Sequence, residues 1–148
     1  MPVVSYASVS DSPPLVAIGC NPGAFTCKLV LAARMFSLSL VGSSQLKSVE
    51  RLATVRGSSV KDKLLAVGLQ HRRGVKLAVP VLEKAEATLE CKLQRTLRTG
   101  DHLLIVGRVM AARAAGSFSD FWDYSRYSPI LYTGWKEGMT TYSGTSRT

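Results

Sequence analysis

The chain has 148 residues, 46% of them hydrophobic, a formal net charge of +9 and three cysteines. That length suits one domain burying roughly 70% of its unfolded surface without covalent staples. An odd cysteine count without C-x-x-C spacing argues against a disulfide framework or a zinc site, and no apolar run reaches the ~20 residues that span a bilayer.

Nothing before Pro14 has the basic and then apolar pattern of a secretory signal, so the expected location is cytoplasmic, with no membrane partner. The positive charge is scattered, and its densest knots, Lys61-Asp62-Lys63 and His71-Arg72-Arg73, are short. No RNP or helix-turn-helix pattern accompanies them. The expectation is a solvated basic surface that attracts small anionic ligands, with no nucleic-acid partner.

In chain order, Val4–Val9 alternates apolar and small polar residues and predicts a strand. Ser5, Ser8 and Ser10 give it either a serine-rich solvated face or a row of donors for a ligand, and Pro13-Pro14 ends it. Leu15–Cys20 predicts a core strand. Asn21 and Pro22 carry helix-start chemistry for a helix over Ala24–Met35, with Phe25, Leu29 and Ala32-Ala33 on one face. Thr26 falls in its first turn, where free N–H groups favour anions or a cap. Phe36–Val41 predicts another half-buried strand. Gly42-Ser43-Ser44-Gln45 then opens a helix over Leu46–Val55, capped by Ser44. Gly57–Leu64 leads into a short helix ending near Gly68, where Lys61 and Lys63 are solvated charges or phosphate partners. Leu69–Ala78 reads as a surface loop, followed by Val79–Leu82.

Leu89, Cys91 and Leu93 alternate with Glu90, Lys92 and Gln94, the period of a half-buried strand. Arg98-Thr99-Gly100-Asp101 is turn chemistry. His102 then stands at the root of a more fully buried strand over Leu103–Met110. This long hairpin is the expected centre of the fold, with Cys20 and Cys91 as buried thiols. Ala111–Ser128 is a connector rich in aromatics (Phe118, Phe121, Trp122, Tyr124, Tyr127), expected to pack against the chain or across a dimer interface. Pro129–Thr133 predicts a last strand, and residues beyond Tyr142 a frayed tail.

The run Leu89-Glu90-Cys91, then Gly100-Asp101-His102, then Gly107-Arg108-Val109 resembles the flavin reductase family. Ser5-Tyr6-Ala7-Ser8-Val9-Ser10-Asp11-Ser12-Pro13-Pro14 is similar to that family's N-S-F-x-S-V-S-x-D-P-P segment, with Val4 in place of Asn and Ser12 in place of the acidic residue. The resemblance covers residues 1–142 and implies a mainly β fold with short helices, an FMN-binding split β-barrel, without the family's usual first strand. It implies FMN as cofactor, held by Ser5, Tyr6, Ala7, Ser8, Ser10, Cys20, Thr26, Ser43, Ser44, Gln45 and Lys63. It also implies NADH or NADPH as substrate, positioned by His102 and not deprotonated by it, since Asp101 should point to the other side of the strand.

Two histidines and few carboxylates leave little for acid–base or metal hydrolysis. Hydride transfer to a flavin asks less of the protein, because the cofactor carries the reactivity. Two functions remain open on the sequence: an NAD(P)H-dependent flavin reductase, or a non-catalytic FMN-binding, flavoredoxin-like electron carrier. A basic nucleic-acid-binding barrel is a remote third. A homodimer, with free flavin or a redox protein as further partner, is the expected assembly.

Overall fold

The centre of the structure, a computed structural model describing residues 1–115, 127–134 and 138–141, is the long hairpin that the alternation around Cys91 predicts. Its strands are Ala87–Thr99 and His102–Ala114, paired so that Thr99 faces His102 across a two-residue turn. Gly100 has a φ of +57° at the first turn position, the conformation a type II′ hairpin requires and a glycine supplies at no steric cost. Around this hairpin, in chain order, stand β1 (Tyr6–Asp11), β2 (Pro14–Cys20), α1 (Phe25–Ala33) and β3 (Met35–Leu40). Then come α2 (Leu46–Thr54), α3 (Lys63–Ala66), β4 (His71–Arg73) and β5 (Pro80–Leu82). The hairpin itself is β6 and β7, and β8 (Ile130–Gly134) pairs with β9 (Gly138–Thr141).

Five strands form one sheet in the order β1-β2-β7-β6-β3, with antiparallel neighbours throughout. The fold is mainly β with short helices, as expected, and among the described residues the sheet does not close into a barrel. The core lies between one face of this sheet and α1. Val16 and Ile18 of β2, Phe36 and Leu38 of β3, Cys91 and Leu93 of β6 and Ile105 of β7 pack there with Cys27 and Val30. Gly107 sits where β7 runs under Phe36, and a Cβ there would lie 2.6 Å from the phenyl ring and 2.9 Å from the Cys91 Cβ. A smaller cluster joins Leu52 of α2 to Val67, Leu69 and Leu82.

Several local expectations change. Asn21 does not cap a helix. Its Oδ1 accepts the Gly23 N–H at 2.8 Å in a tight turn, and Ala24 after that turn is extended, so α1 starts at Phe25 without a side-chain cap. The buried face of α1 is Cys27 and Val30, while Phe25 and Leu29 are exposed. Apolar spacing marked a face, and that face is not the one turned to the core. Ser44 does not cap α2 either; a 3-10 turn over Ser43–Gln45 leads into it. Leu69–Ala78 is not all loop, since His71–Arg73 pairs with Pro80–Leu82. The connector aromatics Phe118, Phe121, Trp122 and Tyr124, and the tail beyond Tyr142, lie outside the described residues. Among the described residues, no helix is long and apolar enough to cross a membrane.

Candidate functional site

A cleft of about 1190 Å³ opens between the chain's first six residues, α1, β3, the segment around α3, the β4–β5 hairpin and β8. Its volume exceeds the roughly 300–1,000 Å³ usual for small-molecule pockets. The displaced face of α1 explains its apolar wall. Phe25 and Leu29, exposed to solvent elsewhere, turn toward this space together with Leu131 and Tyr132 of β8. Gly57 lies so close under Phe25 that an added Cβ would stand 3.0 Å from the ring. At the entrance, the Ser5 carbonyl accepts the Gly19 N–H at 2.9 Å, which holds the first residues against β2.

Next to this apolar wall the lining turns polar and basic, with Lys61, Asp62, Lys63 and His71, and the Lys63 Cδ would stand 3.6 Å from the same added Cβ on Gly57. Asp62 is the N-cap of α3: its Oδ1 accepts the Leu64 and Leu65 N–H groups at 3.0 and 3.1 Å. Its Oδ2 meets His71 Nε2 at 2.8 Å. The Leu65 N–H and then the His71 ring hold this carboxyl below its ordinary range. Lys63 is half-buried, and burial lowers its pKa. Among the described residues no carboxylate reaches it at ion-pair distance.

Of the residues the sequence singled out, Ser5, Tyr6, Cys20, Thr26 and Lys63 line this cleft. Ala7, Ser8 and Ser10 continue along β1 beyond it, and Ser43, Ser44 and Gln45 also stand off its wall. The donors of that turn are partly engaged already. The Ser43 N–H bonds the Ser128 carbonyl at 2.8 Å, and the Gln45 N–H bonds Gly42 at 3.0 Å. Gln45 Oε1, by contrast, is buried without a partner among the described residues. Burial pushes the Cys20 thiol up to about 12, with a hydrogen bond to Cys27 adding to the shift, so Cys20 is an inert apolar contact at neutral pH.

His102 sits at the hairpin tip, off the cleft, its side chain 52% exposed. The expected separation from Asp101 is overturned: His102 Nδ1 lies 2.8 Å from Asp101 Oδ1. Strand alternation does not extend to Asp101, because that residue belongs to the turn and its side chain is free to swing back. Two features were missed by the sequence reading, the Asp62–His71 pair and the buried Glu90 beside Cys91. The first lay in a segment read as two unrelated surface pieces. The second was assigned to the open face of its strand. Among the described residues no group of three or more His, Cys, Asp or Glu side chains is placed to hold a metal ion.

Residues 1–133 match the family described as flavin reductase like domain. The chain is 31% identical over 108 residues to an NADH-dependent FAD reductase of Streptomyces globisporus, covering 73% of this chain and 58% of that one. Its fold is similar to an FMN-binding protein from Thermus thermophilus with bound p-hydroxybenzaldehyde, at a TM-score of 0.80 and 31% identity, over 95% of this chain and 75% of that one. Flavoredoxin from Methanosarcina acetivorans has the same fold, at a TM-score of 0.81 and 21% identity, over 98% and 79% of the two chains. The chain spans between 34% and 76% of the length of the curated relatives it matches, and about half of several.

Proposed function

From the premise that the chain belongs to the flavin reductase-like family, we propose that its cleft binds FMN and that the protein passes a hydride from NADH or NADPH to the flavin. The observation that carries this reading is the mixed lining of the cleft, apolar around Phe25 and Leu29 and basic beside them at Lys63. A flat ring system with a phosphate at the end of a polar chain matches both kinds of lining. The bound flavin supplies the hydride chemistry, and the protein contributes binding, orientation and exclusion of water.

The residues present fit that group. Phe25, Leu29 and Tyr132 offer apolar surface for the ring. Ser5, Tyr6 and Thr26 offer hydroxyls. Lys63, half-buried and without a carboxylate at ion-pair distance among the described residues, gains most from a phosphate, since a charge-assisted contact replaces hydration that burial has reduced. Cys20 packs as a thiol. His102 is assigned to the pyridine nucleotide, as a positioning group reaching outward from the sheet end. We also propose that the functional unit is a homodimer.

An anaerobic titration tests the reading. The expected result is that added FMN stays with the protein through gel filtration and that its absorbance band near 450 nm is bleached by NADH or NADPH at catalytic rates. Binding without bleaching makes the protein an electron carrier of the flavoredoxin kind, and no binding removes the flavin reading altogether. In the same assay His102→Ala keeps its FMN and raises KM for the nucleotide, with catalytic efficiency down about five- to thirtyfold for one lost contact.

A further inference from the structure

One wall of the cleft is attached to the rest of the molecule in an unusual way. β4 and β5 form a sheet of their own, sharing no backbone ladder with the five central strands. Yet His71, Ala78, Val79 and Pro80 of this hairpin face the cleft. Besides the burial of Val79, Val81 and Leu82, side chains from three other elements hold it. Asp62 takes the His71 ring, the Ser37 hydroxyl donates to the Pro80 carbonyl, and Glu90 of β6 takes the turn between the two strands.

The Glu90 contact is the most built of the three. The residue is 5% exposed and does not line the cleft. Its Oε1 accepts the Val75 N–H at 2.7 Å, and its Oε2 accepts those of Lys76 and Leu77 at 2.8 and 2.7 Å. Three successive amides thus form a concave anion site filled by the protein's own carboxylate. Gly74 allows the approach, since a Cβ there would stand 2.7 Å from the carboxylate. Burial alone would push the Glu90 carboxyl up; the three N–H groups and the Arg72 guanidinium together outweigh it and hold the carboxyl below its ordinary value. A buried charge so satisfied fixes the turn at one place.

We propose that Glu90 is a positioning residue for the cleft, which by clamping the β4–β5 turn to β6 sets where Ala78, Val79 and Pro80 stand and hence how tightly the cleft holds its ligand. The proposal rests on the flavin reading above. Two variants of the full chain break the clamp from opposite sides. Glu90→Gln replaces an accepting oxygen with a donor that faces other donors. Gly74→Ala keeps the carboxylate and pushes the turn away from it.

The expected result is that backbone amides 75–77 exchange with deuterium about tenfold faster or more in either variant. FMN affinity, read by flavin fluorescence below the thermal transition, falls about tenfold because the wall is displaced. In the unmodified protein FMN must slow exchange at the same three amides, since coupling between two sites is reciprocal. A clamp that only stabilises the fold would lower the melting temperature and leave the affinity of folded molecules unchanged. That result in either folded variant, or unaltered exchange at residues 75–77 when FMN binds the parent, overturns the proposal. The second measurement stands even where a variant fails to fold. A parent that does not bind FMN sinks the flavin reading itself; a parent that binds, with variants that bind equally well, sinks only the role of Glu90.

Discussion

Glu90 also ties stability to pH in a direction that can be worked out. In the unfolded chain a glutamate titrates near 4.3, and in the folded protein the carboxyl lies below its ordinary value. Between those two values the unfolded chain binds the additional proton, so stability rises with pH there. The contribution is fully present above about pH 5.5 and is lost as pH falls through the folded value. Urea midpoints measured from pH 8 to pH 3 should therefore show a constant gap between the parent and Glu90→Gln above about pH 5.5, closing at lower pH. A gap that persists unchanged to pH 3 would mean that the charge of Glu90 is not what the variant loses. At this scale the motifs named eleven residues, of which Ser5, Tyr6, Cys20, Thr26 and Lys63 line one cleft while Ala7, Ser8, Ser10, Ser43, Ser44 and Gln45 stand off it. The sequence was opaque for Glu90, Asp62 and His71. Their partners come from turns and strand ends, and nothing in the spacing of residues 62 and 71, or of 75 and 90, announces that these loops close on each other.

At the scale of elements, strands of five residues or more were readable, β8 included, and the shorter β4, β5 and β9 were not. β6 and β7 are thirteen residues each, long enough for alternation and for the Gly100-Asp101 turn to declare a hairpin. β4 and β5 are three residues each, too short to show a period. For α1 the apolar spacing was real, but Phe25 and Leu29 look onto a cleft and not into the core. Periodicity reports that a face is apolar, and it cannot report what covers that face. One element is also tuned by a missing side chain. β7 passes Phe36 and Cys91 at Gly107, where a Cβ would penetrate both neighbours. Gly107→Ala must therefore push β7 from β6 or force the Phe36 ring off its rotamer, an overpacking cost of about 1–3 kcal/mol. The ordinary expectation for a glycine in a strand is the reverse, a gain on adding a methyl group. A urea midpoint for Gly107→Ala equal to or above that of the parent would contradict this packing.

At the scale of the molecule, the sheet has two edges that differ in how they are covered. β3 is flanked by the β4–β5 hairpin, with the Ser37 hydroxyl bonded to Pro80. β1 is the other edge, exposed along nearly all of its length. Val4 and Tyr6 are 56% and 52% exposed there, and Val9 is 51% exposed. Edge strands are normally blunted with lysine, proline or a covering element, because unpaired N–H and C=O groups recruit another chain. Here the bulge between Ser8 and Ser10 is one such device, yet the strand carries apolar side chains and no lysine. This surface is what the proposed homodimer would cover. A two-fold arrangement pairs the same patch on both copies and leaves no open end for further growth. A stable interface needs roughly 800 Å² from each partner, and a cationic side chain placed in its apolar centre should break it. Sedimentation at micromolar concentration is expected to show a species of twice the chain mass, and Val9→Lys to shift it to the monomer with the fold retained by far-UV circular dichroism. A parent protein that sediments as a monomer with flavin bound would remove the dimer, and a Val9→Lys protein that remains dimeric would move the interface away from β1.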